Sequence, residues 1–149
     1  MQHEQANFSL SYPQFLGARK FDENGSKGKI YLRFSASGAT SQKIAIWVEI
    51  KEKMNPTLQD VAVWHREDIS FLTKPAYEYV PISFEETTIK GFDVIRHKYA
   101  FEQSDLTYDA IYIARKNDMV VIRMRVSSEN YELYRQDFEE LVISFKPFE

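Results

Sequence analysis

Histidine and cysteine are the side chains most often used for metal binding and nucleophilic chemistry, and this chain has few of them. It contains three histidines and no cysteine, which excludes a disulfide framework, a thiolate nucleophile and any zinc or iron–sulfur site with cysteine ligands. His3, His65 and His97 are far apart and lack metal-ligand spacing. Phosphate-binding loops, dinucleotide fingerprints and the G-x-S-x-G motif are also missing. The sequence therefore predicts no catalytic residue, no metal and no cofactor.

His65 and His97 define the enzymatic alternative. His65 lies on the apolar stripe of a predicted helix and His97 in the middle of a predicted strand. We expect His65 to be a hydrogen-bonded core or boundary residue and His97 to pack across strands. A hydrolase or a metal-dependent enzyme would need at least two of these histidines and nearby acids within hydrogen-bonding or ligand distance in a pocket. The primary expectation is a protein that is not an enzyme.

Arginine and aromatic residues provide a different candidate site. Along one strand Arg123 and Arg125 alternate with four aliphatic residues, Val120, Ile122, Met124 and Val126. If the aliphatic row packs on a helix, the arginines lie on the opposite face of the sheet. The predicted ligand- or partner-binding residues on that face are Tyr31, Arg33, Trp47, Arg123 and Arg125, together with Glu49 and, on a less certain register, Tyr108 and Tyr112. Such a face could bind an anionic or planar ligand; alternatively, a helix covers part of it and acids such as Glu49 pair with the arginines.

Alternating apolar and polar residues predict the strands that carry this face. Strands are predicted around residues 8–12, 18–21, 30–34 and 44–50, with a tight turn at Asn24-Gly25. Four more are predicted around residues 77–87, 92–101, 106–115 and 119–126. The short connections at Lys90-Gly91 and Asn117-Asp118 indicate hairpins, so these strands should be antiparallel neighbours.

Two helices are predicted among the strands. The first has Thr57 as its N-cap and Asp60 in its first turn, and it ends at Lys74-Pro75. The second begins at Glu129 and has one apolar stripe made of Tyr131, Tyr134, Phe138, Leu141, Val142 and Phe145. At roughly 1.5–3 kcal/mol for each large apolar side chain, that stripe should dock the helix firmly on a sheet. We therefore predict an α+β fold, a three-layer α/β/α sandwich with two main helices and a largely antiparallel sheet of about six to eight strands.

Composition limits the class of protein. The chain has 149 residues, a net charge of −3 and 15% aromatic residues, which fits a single domain over residues 1–149 that buries roughly 70% of its unfolded surface. The nearly neutral charge argues against a nucleic-acid partner. No apolar run exceeds five residues, which is too short for a transmembrane segment.

The order of these elements resembles a known family. The opening strand ends in Tyr12-Pro13, a later strand reads Ile-Ala-Ile-Trp-Val from Ile44, a helix starts with Thr-Leu-x-Asp at Thr57, and a strand meander leads to the closing helix. Over essentially its full length the chain is similar to PsbP-like and DcrB-like domains, although residues 14–16 read Gln-Phe-Leu where many members have Gly-Trp. The resemblance implies a non-enzymatic α/β/α sandwich. Members include an extrinsic photosystem II subunit, a nuclear import factor that binds the Ran GTPase, bacterial envelope lipoproteins and chaperones of type VI secretion effectors.

These observations predict a non-catalytic binding or scaffolding module of a bacterial envelope-associated protein, with lipoproteins included, and with a protein partner that the sequence does not identify. If an export signal or a lipobox cysteine preceded Met1 and was removed, the domain is extracytoplasmic or membrane-anchored. An immediate start at Met1 instead favours a cytoplasmic chaperone or adaptor of the same fold. A small-molecule-binding protein that uses the arginine and aromatic face is a further alternative.

Overall fold

The computed structural model describes residues 2–3, 8–11, 16–24, 29–36, 44–72, 74 and 78–147. In these ranges the strands are β1 (Gln2–His3), β2 (Phe8–Ser9), β3 (Leu16–Asn24), β4 (Lys29–Ala36), β5 (Ile44–Glu52), β6 (Tyr79–Ile89), β7 (Phe92–Phe101), β8 (Leu106–Ala114), β9 (Asp118–Ser127) and β10 (Lys146–Pro147). The helices are α1 (Leu58–Leu72) and α2 (Tyr131–Ser144), and a 3₁₀ turn at Ser128–Asn130 leads into α2. The predicted turn residue Gly25 and helix-ending residue Pro75 lie outside the described residues.

Seven strands form one antiparallel sheet in the order β3-β4-β5-β9-β8-β7-β6. Strands β6 to β9 form the predicted meander, and the central pairing of β5 with β9 joins the two halves of the chain. The α+β class with an antiparallel sheet and two helices is therefore confirmed. The strand predicted at residues 8–12 does not join this sheet, because β2 pairs with β1 and β10 in a separate three-stranded sheet.

Each face of the large sheet is covered by one helix. On one face an aliphatic core formed by β5 and β9 packs against Phe138, Leu141 and Val142 of α2. On the other face a smaller core includes Val61 and Trp64 of α1. Neighbouring residues of a strand point to opposite faces, so the members of these two cores alternate along β9. The molecule is a three-layer α/β/α sandwich, and the predicted aliphatic row of β9 does face α2.

Helix α1 begins with a reciprocal cap at Thr57 and Asp60. The backbone N–H of Asp60 donates to Thr57 Oγ1 at 3.3 Å, and the backbone N–H of Thr57 donates to Asp60 Oδ2 at 2.8 Å. This arrangement satisfies donors that a helix start leaves unpaired. The hydrogen bond from the Thr57 backbone is also the main reason that the pKa of Asp60 is lowered.

Helix α2 is held by polar contacts as well as by its apolar stripe. It begins at Tyr131, two residues after the predicted start at Glu129, because Glu129 belongs to the 3₁₀ turn. The Tyr131 hydroxyl donates to the buried carboxylate of Asp109 in β8 at 3.0 Å. Arg96 of β7 donates twice to the same carboxylate, at 3.1 and 2.8 Å, and also binds Glu139 of α2. This network joins α2 to two strands of the sheet.

The hairpin predicted at Lys90-Gly91 is confirmed. Lys90 has φ of 52° and Gly91 has φ of 84°, the pair of positive φ values that a two-residue type I′ turn requires. Glycine suits the second position because it has no Cβ to clash in this region. The other hairpin joins β8 to β9 through residues 115–117, and the Arg115 backbone N–H donates to the Asp118 carbonyl across it at 2.9 Å.

Candidate functional site

Backbone register places most of the predicted binding residues on neighbouring strands. Arg33 of β4 lies opposite Trp47 of β5, which lies opposite Arg123 of β9. Arg125 is two residues further along β9, opposite Tyr108 of β8. Tyr31 falls at the shift in register between Ile30 and Leu32. Arg33, Trp47 and Arg123 therefore form one row across three adjacent strands, with Arg125 in the next row.

Arg123 lies beneath α1 and is bound there. Its Nη2 donates to the Tyr112 hydroxyl at 2.9 Å and to Asp68 Oδ2 of α1 at 3.2 Å, and the Tyr112 hydroxyl donates to the same Asp68 oxygen at 2.7 Å. Burial alone would lower the pKa of Arg123, but Tyr112, Tyr99 and Asp68 reverse that effect and leave the pKa above its usual value. Arg123 thus stays charged and joins α1 to the sheet through its ion pair with Asp68.

Arg125 has different surroundings from Arg123. Its Cζ lies 5.6 Å from the centroid of the Trp47 ring, and both side chains are half-buried. This distance is within the range of a cation–π contact. Among the described residues, Arg125 has no carboxylate partner. Its guanidinium is therefore oriented by an indole ring while its N–H groups remain available to an incoming acceptor.

His65 and His97 contact each other. His65 Nε2 of α1 lies 2.9 Å from His97 Nδ1 of β7, and His97 Nε2 lies 2.9 Å from the Tyr79 hydroxyl of β6. His65, predicted as a core or boundary residue, is 8% exposed, and His97, predicted to pack across strands, is 3% exposed. The sequence did not predict their contact, because the spacing of residues within a helix and within a strand does not determine how the two elements are aligned.

Burial keeps both imidazoles neutral near pH 7. It lowers the pKa of His97 to about 4, and His65 acts in the same direction. Burial also lowers the pKa of His65, with the charge of Asp68 acting against it. A neutral imidazole donates through one nitrogen and accepts through the other, so the hydrogen bonds run in one direction from Tyr79 to His65 or in the reverse direction. These hydrogen bonds link β6, β7 and α1.

This geometry meets part of the condition set for an enzyme. The two imidazoles are within hydrogen-bonding distance, and Asp68 affects the pKa of His65. However, the facing nitrogens are occupied by one another, so no described contact directs them at an external group. Within the described part of the chain, no group of three or more histidines, aspartates or glutamates is placed to hold a metal ion.

The sequence matches no protein-family model and no curated protein. Solved structures do match: the cyanobacterial PsbP (CyanoP) of Synechocystis sp. PCC 6803 superposes with a TM-score of 0.75 at 13% identity, over 99% of this chain and 91% of its own. The chain has the PsbP-like fold. This confirms the fold that the resemblance implied.

Two further structures share the PsbP-like fold of this chain. LpqN, involved in cell envelope biogenesis of Mycobacterium tuberculosis, has a TM-score of 0.65 at 9% identity, over 95% of this chain and 83% of its own. PA94, a protein of unknown function from Pseudomonas aeruginosa, has a TM-score of 0.61 at 12% identity, over 96% of this chain and 99% of its own. No helix in the described residues has the length and apolarity needed to span a bilayer.

Proposed function

We propose that this chain is a non-catalytic binding module of a bacterial envelope-associated protein, and that it binds a protein partner through an aromatic–arginine patch. The patch is defined by Trp47 and Arg125, with Tyr31 and Arg33 included for their backbone positions on β4 and Arg123 in the same row as Trp47. One observation carries the proposal. Arg123 is bound by Asp68 and Tyr112, whereas Arg125 lies on Trp47 without a carboxylate partner among the described residues.

The chemistry of the patch indicates the kind of group that it binds. A planar guanidinium matches a carboxylate through two parallel hydrogen bonds, and the stack on Trp47 reduces the conformational freedom that Arg125 would lose on binding. The ring of Trp47 adds an apolar surface beside the cation. The partner surface that fits therefore presents an acidic side chain next to an apolar or aromatic one. The backbone position of Arg33 is opposite Trp47 in register.

Two observations support the absence of catalysis and the association with the envelope. The buried imidazoles of His65 and His97 hydrogen-bond each other, so they serve to position α1. LpqN, which shares the fold, is described as involved in cell envelope biogenesis. A cytoplasmic chaperone or adaptor of the same fold would bind through the same patch, so the cell fraction that holds the partner distinguishes the two roles.

The test is affinity capture from separated envelope and cytoplasmic fractions of the native organism, followed by calorimetry on the recovered partner. We expect Arg125→Ala and Trp47→Ala each to weaken binding by about tenfold or more, because central Arg and Trp residues carry much of the energy of an interface. Arg125→Lys should restore only part of the affinity, since an ammonium group cannot form the two parallel bonds.

Arg135→Ala is the matched control, because it removes an arginine from the exposed surface of α2, where Arg135 pairs with Glu132 at 3.5 Å. It should bind like the unmodified protein. Equal binding by Arg125→Ala and the unmodified protein would refute the patch. A partner found only in the cytoplasmic fraction would refute the envelope role and support the chaperone or adaptor.

A further inference from the structure

Among the described strands, β6 forms one edge of the large sheet. β7 is its strand partner, and no other described strand pairs with it. Every residue from Pro81 to Thr88 is exposed, and the Phe84 ring contacts His65 of α1 at 5.2 Å between ring centroids. The outward backbone N–H and C=O groups of such an edge can pair with another extended chain.

The features that normally protect an edge are concentrated at the start of β6. Pro81 lacks an N–H group, and the pairing with β7 shifts in register between Pro81 and Ser83. From Ser83 to Ile89 the register is continuous. This regular segment, residues 83–89, includes Phe84, which is 53% exposed, and two threonines that favour extended structure.

The regular segment also carries negative charge on both faces of the sheet. Glu85 and Glu86 are neighbours in the strand, so they point to opposite faces. Glu85 lies opposite Arg96 of β7, but the Arg96 guanidinium is already bound by Asp109 and Glu139. Neither Glu85 nor Glu86 has an ion-pair partner among the described residues. The edge therefore presents two carboxylates that a basic partner could pair with.

We propose that the outer edge of residues 83–89 is a docking site for an extended, basic segment of a partner protein, which adds an eighth strand to the sheet. Two adjacent basic residues in the segment would place one cation on each face, beside Glu85 and Glu86, while its backbone pairs with β6. An apolar residue of the segment would cover Phe84. This site is separate from the aromatic–arginine patch, which lies on β4, β5 and β9.

A second copy of this chain fits the edge less well. When a strand pairs with itself around a two-fold axis, the central residue faces its own copy. The centre of residues 83–89 is Glu86, so self-pairing over this segment would place two Glu86 carboxylates opposite each other. Like charges directly opposite in a sheet are destabilising, whereas a basic partner segment turns the same positions into favourable pairs.

The test uses the full chain and a fluorescent peptide of about nine residues, in which a Lys-Arg pair is flanked by alternating valine and threonine, the length of an ordinary strand. Anisotropy measures affinity, and amide chemical shifts of the protein locate the site. We expect shifts along residues 83–89. The double variant Glu85→Gln/Glu86→Gln should bind about tenfold more weakly at low salt, as loss of complementary charge predicts.

Two controls separate strand addition from simple charge attraction. The same peptide with N-methylated backbone amides keeps its charge but loses its hydrogen-bond donors, and it should not bind. Glu129→Gln/Glu132→Gln removes the same charge from exposed positions near α2 and should leave binding unchanged. Equal binding of the methylated peptide, an equal loss in the control variant, or no binding at millimolar protein would each overturn the proposal. So would self-association of the chain that the Glu85→Gln/Glu86→Gln variant strengthens, because it would make a second copy the occupant.

Discussion

Acidification to pH 5 should destabilise this protein through the buried pair of His65 and His97. The two imidazoles face each other at 2.9 Å. One hydrogen atom already lies between the two facing nitrogens, so a second proton does not fit there. The groups packed around His97 are His65, Tyr79, Phe84 and Tyr99, and none of them is a carboxylate that would stabilise an imidazolium. Protonation of His97 is therefore opposed in the folded state and unopposed in the unfolded chain.

The size of the effect follows from the two pKa values. The pKa of His97 is about 4 in the fold, against 6.5 for the free side chain. Between those values the unfolded state binds more protons, so stability is complete above about pH 6.5 and falls as the pH falls towards 4. From pH 7.5 to pH 5 the loss from His97 alone is about 2 kcal/mol. The lowered pKa of His65 adds to the loss in the same direction.

Urea unfolding at pH 7.5 and pH 5 measures this loss directly, and thermal unfolding should show a fall in Tm of about 4–8 °C for a domain of this size. His97→Gln, which keeps a polar side chain but cannot titrate, should lose most of the difference between the two pH values. Tyr79→Phe removes one hydrogen bond to His97 but leaves the imidazole pair buried, so it should retain the difference.

Equal free energies of unfolding at pH 7.5 and pH 5 would refute the burial argument. A His97→Gln variant with the full pH dependence would also refute it, because the protons would then bind elsewhere. Aspartate and glutamate titrate mainly below about pH 5, so this interval reports on histidine.

Two further substitutions test the layers that the helices form with the sheet. Phe138→Ala should lower the free energy of unfolding by about 3–5 kcal/mol in urea denaturation, because the Phe138 side chain of α2 is fully buried. An unchanged midpoint would show that the apolar stripe does not dock the helix on the sheet. Arg123→Met should lower the free energy of unfolding by about 3 kcal/mol, because it leaves Asp68 and Tyr112 without their cation. Arg135→Met breaks an exposed ion pair and should lower it by less than about 1 kcal/mol. Similar losses for the two arginine variants would contradict the structural role of Arg123.

The strands and helices were predictable because each depends on a short repeating pattern. The large aliphatic residues of β5 recur at every second position, and the α2 stripe repeats at helical spacing; both elements lie where these patterns predicted. The small sheet of β1, β2 and β10 was not predictable. It pairs residues from the two ends of the chain, and no local pattern encodes contacts between segments so distant in sequence.

In the candidate sites, too, contacts between residues distant in sequence were not predictable. The alternation around Arg123 and Arg125 correctly separated the aliphatic face of β9 from the polar one, but it treated the two arginines as equivalent. Their difference comes from α1, which brings Asp68 over Arg123. Likewise, His65 was expected at the core or its boundary and His97 was expected to pack across strands, but only the docking of α1 on β7 places them in contact. Positions across a helix–sheet interface depend on docking, which sequence periodicity does not specify.

The two helix layers cover the polar groups of the sheet in different ways, and this difference bears on where a binding face can exist. Under α2 an aliphatic core covers the centre of the sheet, and the Arg96–Asp109 pair on that face is bound by side chains of the helix. Under α1, Asp68 accepts hydrogen bonds from the sheet and His65 shares one with β7, so polar contacts join this helix to a polar and aromatic face. On the same face, Arg125 and Trp47 lie half-buried and in contact. Helix α1 thus binds one arginine of β9 through Asp68 and leaves the other without a carboxylate partner among the described residues.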